Sequence, residues 1–299
     1  MSRPGETRVP LLPTLFTLGN LMFGFLALAK FIDALHSSTG SGPFDAEFEQ
    51  HLLRGCKYLV WAMVFDALDG RVARLTNQQS PFGAMLDSLA DLVSFGVAPA
   101  FLAKITYEHG MSALGLPYRP TVITGFCSLY LICAALRLAR FTTDEADDSD
   151  HHTFRGLPSP AAAGSIIAAC FFIFEGRLEL GFSDGAANTL GIALTRSLPY
   201  VAAALGLLMI SRVRYVHVFQ RYIGHRPRVF HLVCLVILFW FAFQFHEWAL
   251  FLFISIYVVG GLVLGLRAAA RGTSPVDALP PPWDPDDGET GDPDAGRSR

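Results

Sequence analysis

The stretch DALDGRVARLTNQQSPFGAMLDSLAD, residues 66–91, decides how this chain is to be read. It holds two aspartate pairs, Asp66 with Asp69 and Asp87 with Asp91. The first pair is spaced i,i+3 and the second i,i+4, so on helices the members of each pair share one face. Long apolar runs flank the stretch on both sides. Carboxylates beside membrane-length apolar segments are costly, and they mark a functional site by default. Four that converge repel one another unless cations sit between them. The expectation is a divalent-cation site where two membrane helices end and begin, built to handle a phosphate substrate.

Composition points the same way. Of 299 residues, 52% are hydrophobic and 16% are charged, and the mean hydropathy is +0.40. Soluble domains carry about 25% charged residues. The expected fold class is therefore all-α, a polytopic membrane helical bundle. The apolar runs predict about eight membrane helices, near 13–35, 52–74, 82–106, 119–140, 159–176, 196–212, 229–245 and 248–267. Each is close to the roughly 20 residues that a bilayer core requires. The second is the least apolar. The N-terminus is polar and lacks a secretory signal; the first apolar run reads as a membrane helix. Cys56, Cys127, Cys133, Cys170 and Cys234 are dispersed and form no CxxC pair, so they read as apolar filler and not as a disulfide or zinc framework.

Lys and Arg suggest an orientation. With the N-terminus inside, fourteen fall on the cytoplasmic side and seven on the other, the tail residues Arg297 and Arg299 aside. That bias predicts both termini and both aspartate pairs on the cytoplasmic side of the cell membrane. The expected organisation is a tail at 1–10, a catalytic membrane domain at 11–228, an added helix pair at 229–271 and a disordered tail at 272–299. The loop at 141–157 is acidic with two histidines, and reads as solvated charge. The loop at 212–228 is basic, and reads as topology-setting charge against anionic headgroups. No nucleic-acid partner is expected.

The residue types specify chemistry. Hard carboxylate oxygens favour Mg²⁺ or Mn²⁺ over zinc. Two such ions neutralise a pyrophosphate and stabilise its departing half. One aspartate left free of full coordination serves as general base on an attacking hydroxyl, and Asp91 is the natural candidate. Gly70 lets a ligand approach the backbone. Arg74 offers a planar fork to phosphate. Carboxylates that merely pair Arg71 and Arg74 would leave too many acids over. A cation transporter is the reading from another class, but it gives Gly70, Arg74 and Gly83 no task.

From Asp66 to Asp91 the spacing is D-x2-D-G-x2-A-R-x8-G-x3-D-x3-D. It resembles the signature of the CDP-alcohol phosphatidyltransferases, with every position filled. The resemblance implies transfer of a phosphatidyl group from a CDP-linked lipid, such as CDP-diacylglycerol, to an alcohol, with release of CMP. It implies Asp66, Asp69, Asp87 and Asp91 as metal ligands, Asp91 also as base, and Asp69, Gly70, Ala73, Arg74 and Gly83 at the CDP site. It also makes a homodimer possible. Three further stretches, LPTLFTLGN at 12–20, DSLADLVSFGVAPA at 87–100, and RLARF at 137–141 with GLPSPAAAG at 156–164, resemble the serine-specific branch of that family. They imply L-serine as the acceptor; glycerol phosphate, inositol phosphate and choline are the alternatives. A serine carboxylate calls for a guanidinium fork or helix N-terminal amides. Arg137, Arg140 and Arg155 are the candidates for the acceptor or lipid phosphate, with Asn20 and Ser94 behind them.

Overall fold

A computed structural model describes residues 11–37, 46–76, 80–144, 156–180 and 186–211, together with Val258, Gly260 and Val263. The described residues are helical, with no strand among them. In chain order the elements are α1 (Leu11–Ser37), α2 (Ala46–Leu75), α3 (Pro81–Asp91), a π-helical turn (Leu92–Val97), α4 (Ala98–Ala113), α5 (Pro120–Asp144), α6 (Ser159–Leu180) and α7 (Ala186–Ile210).

Six of the eight predicted segments have a helix at their place. The last two, at 229–245 and 248–267, fall almost wholly outside the described residues, as does the helix-pair and tail division there. The observed helices run longer than their apolar cores. α2 begins six residues before the predicted position 52, because Glu47 and Glu49 lie in its first turn, where acids favour the helix dipole. α7 begins at Ala186, not at 196, since Arg196 sits exposed in mid-helix rather than at the end.

Among the described residues, four helical stretches are long and apolar enough to cross a membrane: Leu12–Ser37, Pro81–Ala113, Pro120–Arg140 and Gly191–Ile210. These mark the chain as an integral membrane protein. α2 is interrupted by its own charges. The apolar part of α6, Ser159–Glu175, is shorter.

Packing agrees with a lipid surround. On α1 the residues Leu12, Leu15, Leu18, Met22 and Phe25 are exposed. They recur every three to four positions and form one stripe facing out of the bundle. A soluble helix buries such a stripe; this one buries Thr17 and Asn20 instead. The core lies between the helices, around Phe31, Phe48, Leu52, Phe95, Leu102 and Tyr130. α6 is buried nearly all round from Ala162 to Glu175, as its uniformly apolar sequence requires.

α1 packs along α2, α6 against α2 and α7, and α5 against α7. The chain enters α6 through Gly156, whose φ is +94°. A Cβ there would fall 2.1 Å from the Met209 carbonyl oxygen, so only glycine fits. The next amide, Leu157, donates to the Leu208 carbonyl at 3.1 Å. This joint fixes the start of α6 beside the end of α7.

Candidate active site

α2 carries the first aspartate pair in its last turns, and α3 carries the second. The start of α3 is set locally. Ser80 caps α3 in an extended conformation, its Oγ accepting from the Gly83 amide at 3.0 Å, with Pro81 at the first helical position. Serine satisfies an otherwise orphaned donor there, and proline's fixed φ suits the entry. α3 therefore starts at one defined residue, which fixes the phase at which Asp87 and Asp91 emerge.

Asp66, Asp87 and Asp91 converge. Each offers a carboxylate oxygen within 4.8 Å of those of the other two. Asp91 is buried, while Asp66 and Asp87 are partly exposed. Two full charges at that separation repel by about 3 kcal/mol at an effective dielectric constant near 20. Asp69 is buried one turn along α2 and is not a member of this trio; its Oδ2 accepts a short hydrogen bond from the Thr17 hydroxyl.

α1 reaches the site with a second side chain. Asn20 Nδ2 donates to Asp91 Oδ1 at 3.0 Å. Asn20 is completely buried, and its Oδ1 has no hydrogen-bond partner among the described residues. Ser94 Oγ donates to the Asn20 carbonyl at 3.1 Å. Ser94 and α1 can come this close because residue 24 is glycine; a Cβ there would lie 2.4 Å from Ser94 Oγ.

Ser94 belongs to the π-helical turn that begins directly after Asp91. Such turns inside α-helices are frequently found at functional sites. Here the turn is held from two sides. Ser94 ties it to α1, and the buried Tyr130 hydroxyl of α5 donates to the Phe95 carbonyl at 2.7 Å. α3, the turn and α4 form one continuous helical rod, so the tie at Phe95 also fixes the rotation of Asp91.

The remaining candidates divide. Gly70 is exposed, and a Cβ added there meets nothing within 4 Å. Among the described residues no packing requires glycine at this position. Ala73 and Arg74 continue α2. Gly83 serves the cap of α3. Arg137 Nη1 donates to Ser159 Oγ at 2.8 Å, joining α5 to the first residue of α6. Arg140 lies exposed one turn beyond Arg137. Arg155 lies outside the described residues, as do the rest of 145–155 and the whole of the 212–228 loop.

The residues suit a hard divalent cation. The converging donors are three carboxylates, with no thiol or imidazole among them. A buried amide oxygen without a partner belongs to the side chain that holds Asp91. The cysteines among the described residues, Cys56, Cys127, Cys133 and Cys170, are free and buried in the core, away from this chemistry. Thr17, Tyr130 and Ser159 were not among the sequence candidates. Thr17 alone left a signal: with Asn20 it makes a polar i,i+3 pair in the mainly apolar first half of α1.

Comparison with known proteins agrees with the geometry. The family description CDP-alcohol phosphatidyltransferase matches residues 10–208. A CDP-diacylglycerol–serine O-phosphatidyltransferase of Helicobacter pylori is 30% identical over 253 residues, covering 85% of this chain and 90% of that protein. One of the same name from Methanocaldococcus jannaschii is 34% identical over 164 residues, covering 55% of this chain and 64% of that protein. An archaetidylserine synthase of Methanothermobacter thermautotrophicus is 31% identical over 199 residues, covering 65% and 71%. No solved structure gives a significant match. With two thirds of its length matched, and the acid trio inside the matched region, the chain belongs to the CDP-alcohol phosphatidyltransferase family.

Proposed function

We propose that the protein transfers the phosphatidyl group of CDP-diacylglycerol to L-serine, giving phosphatidylserine and CMP. The observation that carries this is the convergence of Asp66, Asp87 and Asp91 within 4.8 Å, in a chain that spans 90% of a serine-specific relative. The three stretches that flank the motif support serine over phosphorylated acceptors.

The acids of α2 and α3 would hold two Mg²⁺ or Mn²⁺ ions, with Asp69 joining the trio. When bound, the ions neutralise the pyrophosphate and the charge that develops on departing CMP. The chain's own residues do the rest. Asp91 takes the proton of the serine hydroxyl as that oxygen attacks the lipid-side phosphorus. The bond between this phosphorus and the CMP oxygen breaks, and CMP leaves with the electron pair. Gly70, with open space about it, admits the CDP head against the α2 backbone, next to Ala73 and Arg74. Arg137, bonded to Ser159 at 2.8 Å, would receive the serine carboxylate. Arg140, exposed on α5, would supply further positive charge, and Arg155 is proposed with it from the sequence alone.

The Lys and Arg bias supports an active site on the cytoplasmic face of the cell membrane, where a soluble amino acid meets the lipid head. The acyl chains would enter from the bilayer past Phe82, Met85 and Leu89, the exposed apolar side chains of α3. Residues 11–228 would form the catalytic unit and 229–271 an added helix pair, in a homodimer.

The test is CMP release by the purified full chain given CDP-diacylglycerol, Mg²⁺ and serine. Release that depends on serine is expected. CMP release indifferent to serine, or none, contradicts the reading.

A further inference from the structure

The site's acids come from α2 and α3, yet two of them are held by a third helix. Thr17 and Asn20 stand three residues apart on α1, so they share one face. The Thr17 hydroxyl donates to Asp69 Oδ2. The Asn20 amide donates to Asp91 Oδ1 at 3.0 Å. Both donors are buried, at 2% and 0% exposure. They are neutral groups in a helix whose other face is a stripe of exposed leucine, methionine and phenylalanine. A buried hydroxyl or amide is costly unless it is bonded; the Pro13 carbonyl of α1 lies 3.2 Å from the Thr17 hydroxyl as an alternative acceptor, whereas the Asn20 amide is bonded to Asp91.

We propose that Thr17 and Asn20 form a positioning clasp, each fixing one carboxylate of the cation site so that its second oxygen faces the ions. A carboxylate has two oxygens. Each donor engages one and leaves the other, which removes the side-chain rotation that a free aspartate would retain. Outer donors of this kind orient ligands and typically account for 10- to 100-fold in metal affinity. The clasp also gives α1 a role in a site whose acids lie on other helices. Movement of α1 against α2 and α3 would alter Asp69 and Asp91 together. The tie from Ser94 to the Asn20 carbonyl at 3.1 Å registers α1 against the π-helical turn, and so keeps Asn20 level with Asp91.

This inference rests on the reading of the acids as a cation site and not on the choice of acceptor. Its test therefore uses the metal alone. Mn²⁺ binding to the purified full chain is followed by electron paramagnetic resonance of the free ion, without lipid or serine. Thr17→Val keeps the shape and loses the hydroxyl; the Mn²⁺ needed for half-saturation is expected to rise about tenfold. Thr17→Ser keeps the hydroxyl and is expected within about twofold of the parent. Asn20→Leu is expected to weaken binding in the same way as Thr17→Val. In an Asp69→Asn background, Thr17→Val is expected to add less than about twofold, because its partner charge is gone. Should Thr17→Val fail to fold, Thr17→Ala replaces it with the same expected weakening. Binding by Thr17→Val or its replacement within twofold of the parent overturns the clasp. So does a Thr17→Ser protein as weak as Thr17→Val. A parent that binds no Mn²⁺ overturns the cation reading and the clasp together, whereas failure of the serine assay alone leaves the clasp standing.

Discussion

Asn20 and Asp91, 71 residues apart in sequence, are joined by a buried hydrogen bond of 3.0 Å from the amide of one to the carboxylate of the other. The bond holds one oxygen of Asp91, a residue whose carboxylate offers an oxygen within 4.8 Å of those of Asp66 and Asp87. A general base needs this kind of restraint, because proton transfer demands hydrogen-bond reach to a single hydroxyl.

Asp91→Asn therefore keeps the shape of the site and removes its base. CMP release is expected to fall by about 10²- to 10⁴-fold. Binding of the CDP-lipid, measured at saturating Mg²⁺, is expected to be largely kept. Turnover equal to that of the parent removes Asp91 from the chemistry.

Gly70 separates packing from ligand access. It lies within α2, and a methyl group there would touch nothing within 4 Å. Alanine in a helix is favoured over glycine by about 1 kcal/mol. Gly70→Ala is expected to raise the melting temperature slightly and yet to increase KM for the CDP-lipid several-fold. An unchanged KM would show that the CDP head does not approach the α2 backbone at this position.

Tyr130 tests the π-helical turn. Its hydroxyl is the donor to the Phe95 carbonyl at 2.7 Å, in a fully buried setting. Tyr130→Phe leaves that carbonyl without this donor, at an expected cost of about 1–3 kcal/mol of stability. Since the turn follows Asp91 directly, kcat is expected to fall as well. Loss of stability with full kcat would show that the turn is a packing feature only.

Much of this was legible in the chain. The apolar runs located the helices, and the filled signature located the acids, because both signals are local and periodic. The rest depended on contacts between distant segments. Nothing near Tyr130 in sequence announces that it completes a turn 35 residues earlier. The π-helical turn itself breaks no hydropathy pattern, so 82–106 reads as one plain helix. A threonine in a helix commonly donates to its own backbone one turn back, and the single Thr17 proton does have the Pro13 carbonyl oxygen at 3.2 Å as an alternative acceptor to Asp69, so the sequence does not single it out. Asp69 differs from expectation in emphasis: sequence spacing grouped it with Asp66, while the structure gathers Asp66 with the α3 pair and gives Asp69 to α1.

Repulsion within the trio makes a prediction about the ions. Removing divalent cations with EDTA is expected to abolish CMP release and to lower the melting temperature, and Mg²⁺ or Mn²⁺ to restore both. Asp66→Asn relieves one charge in three. It is expected to raise the cation-free melting temperature and to shrink the gain from Mg²⁺. A melting temperature indifferent to Mg²⁺ in the parent would argue against a cation among these acids.

Competition among acceptor alcohols decides which one the enzyme uses. Purified full chain is given CDP-diacylglycerol and Mg²⁺ with equal concentrations of L-serine, glycerol phosphate, inositol phosphate and choline, and the lipid products are identified by mass spectrometry. Phosphatidylserine as the dominant product, formed with an equal amount of CMP, is the expected result. Another phosphatidyl lipid in its place, with CMP released but no phosphatidylserine, would contradict the serine assignment.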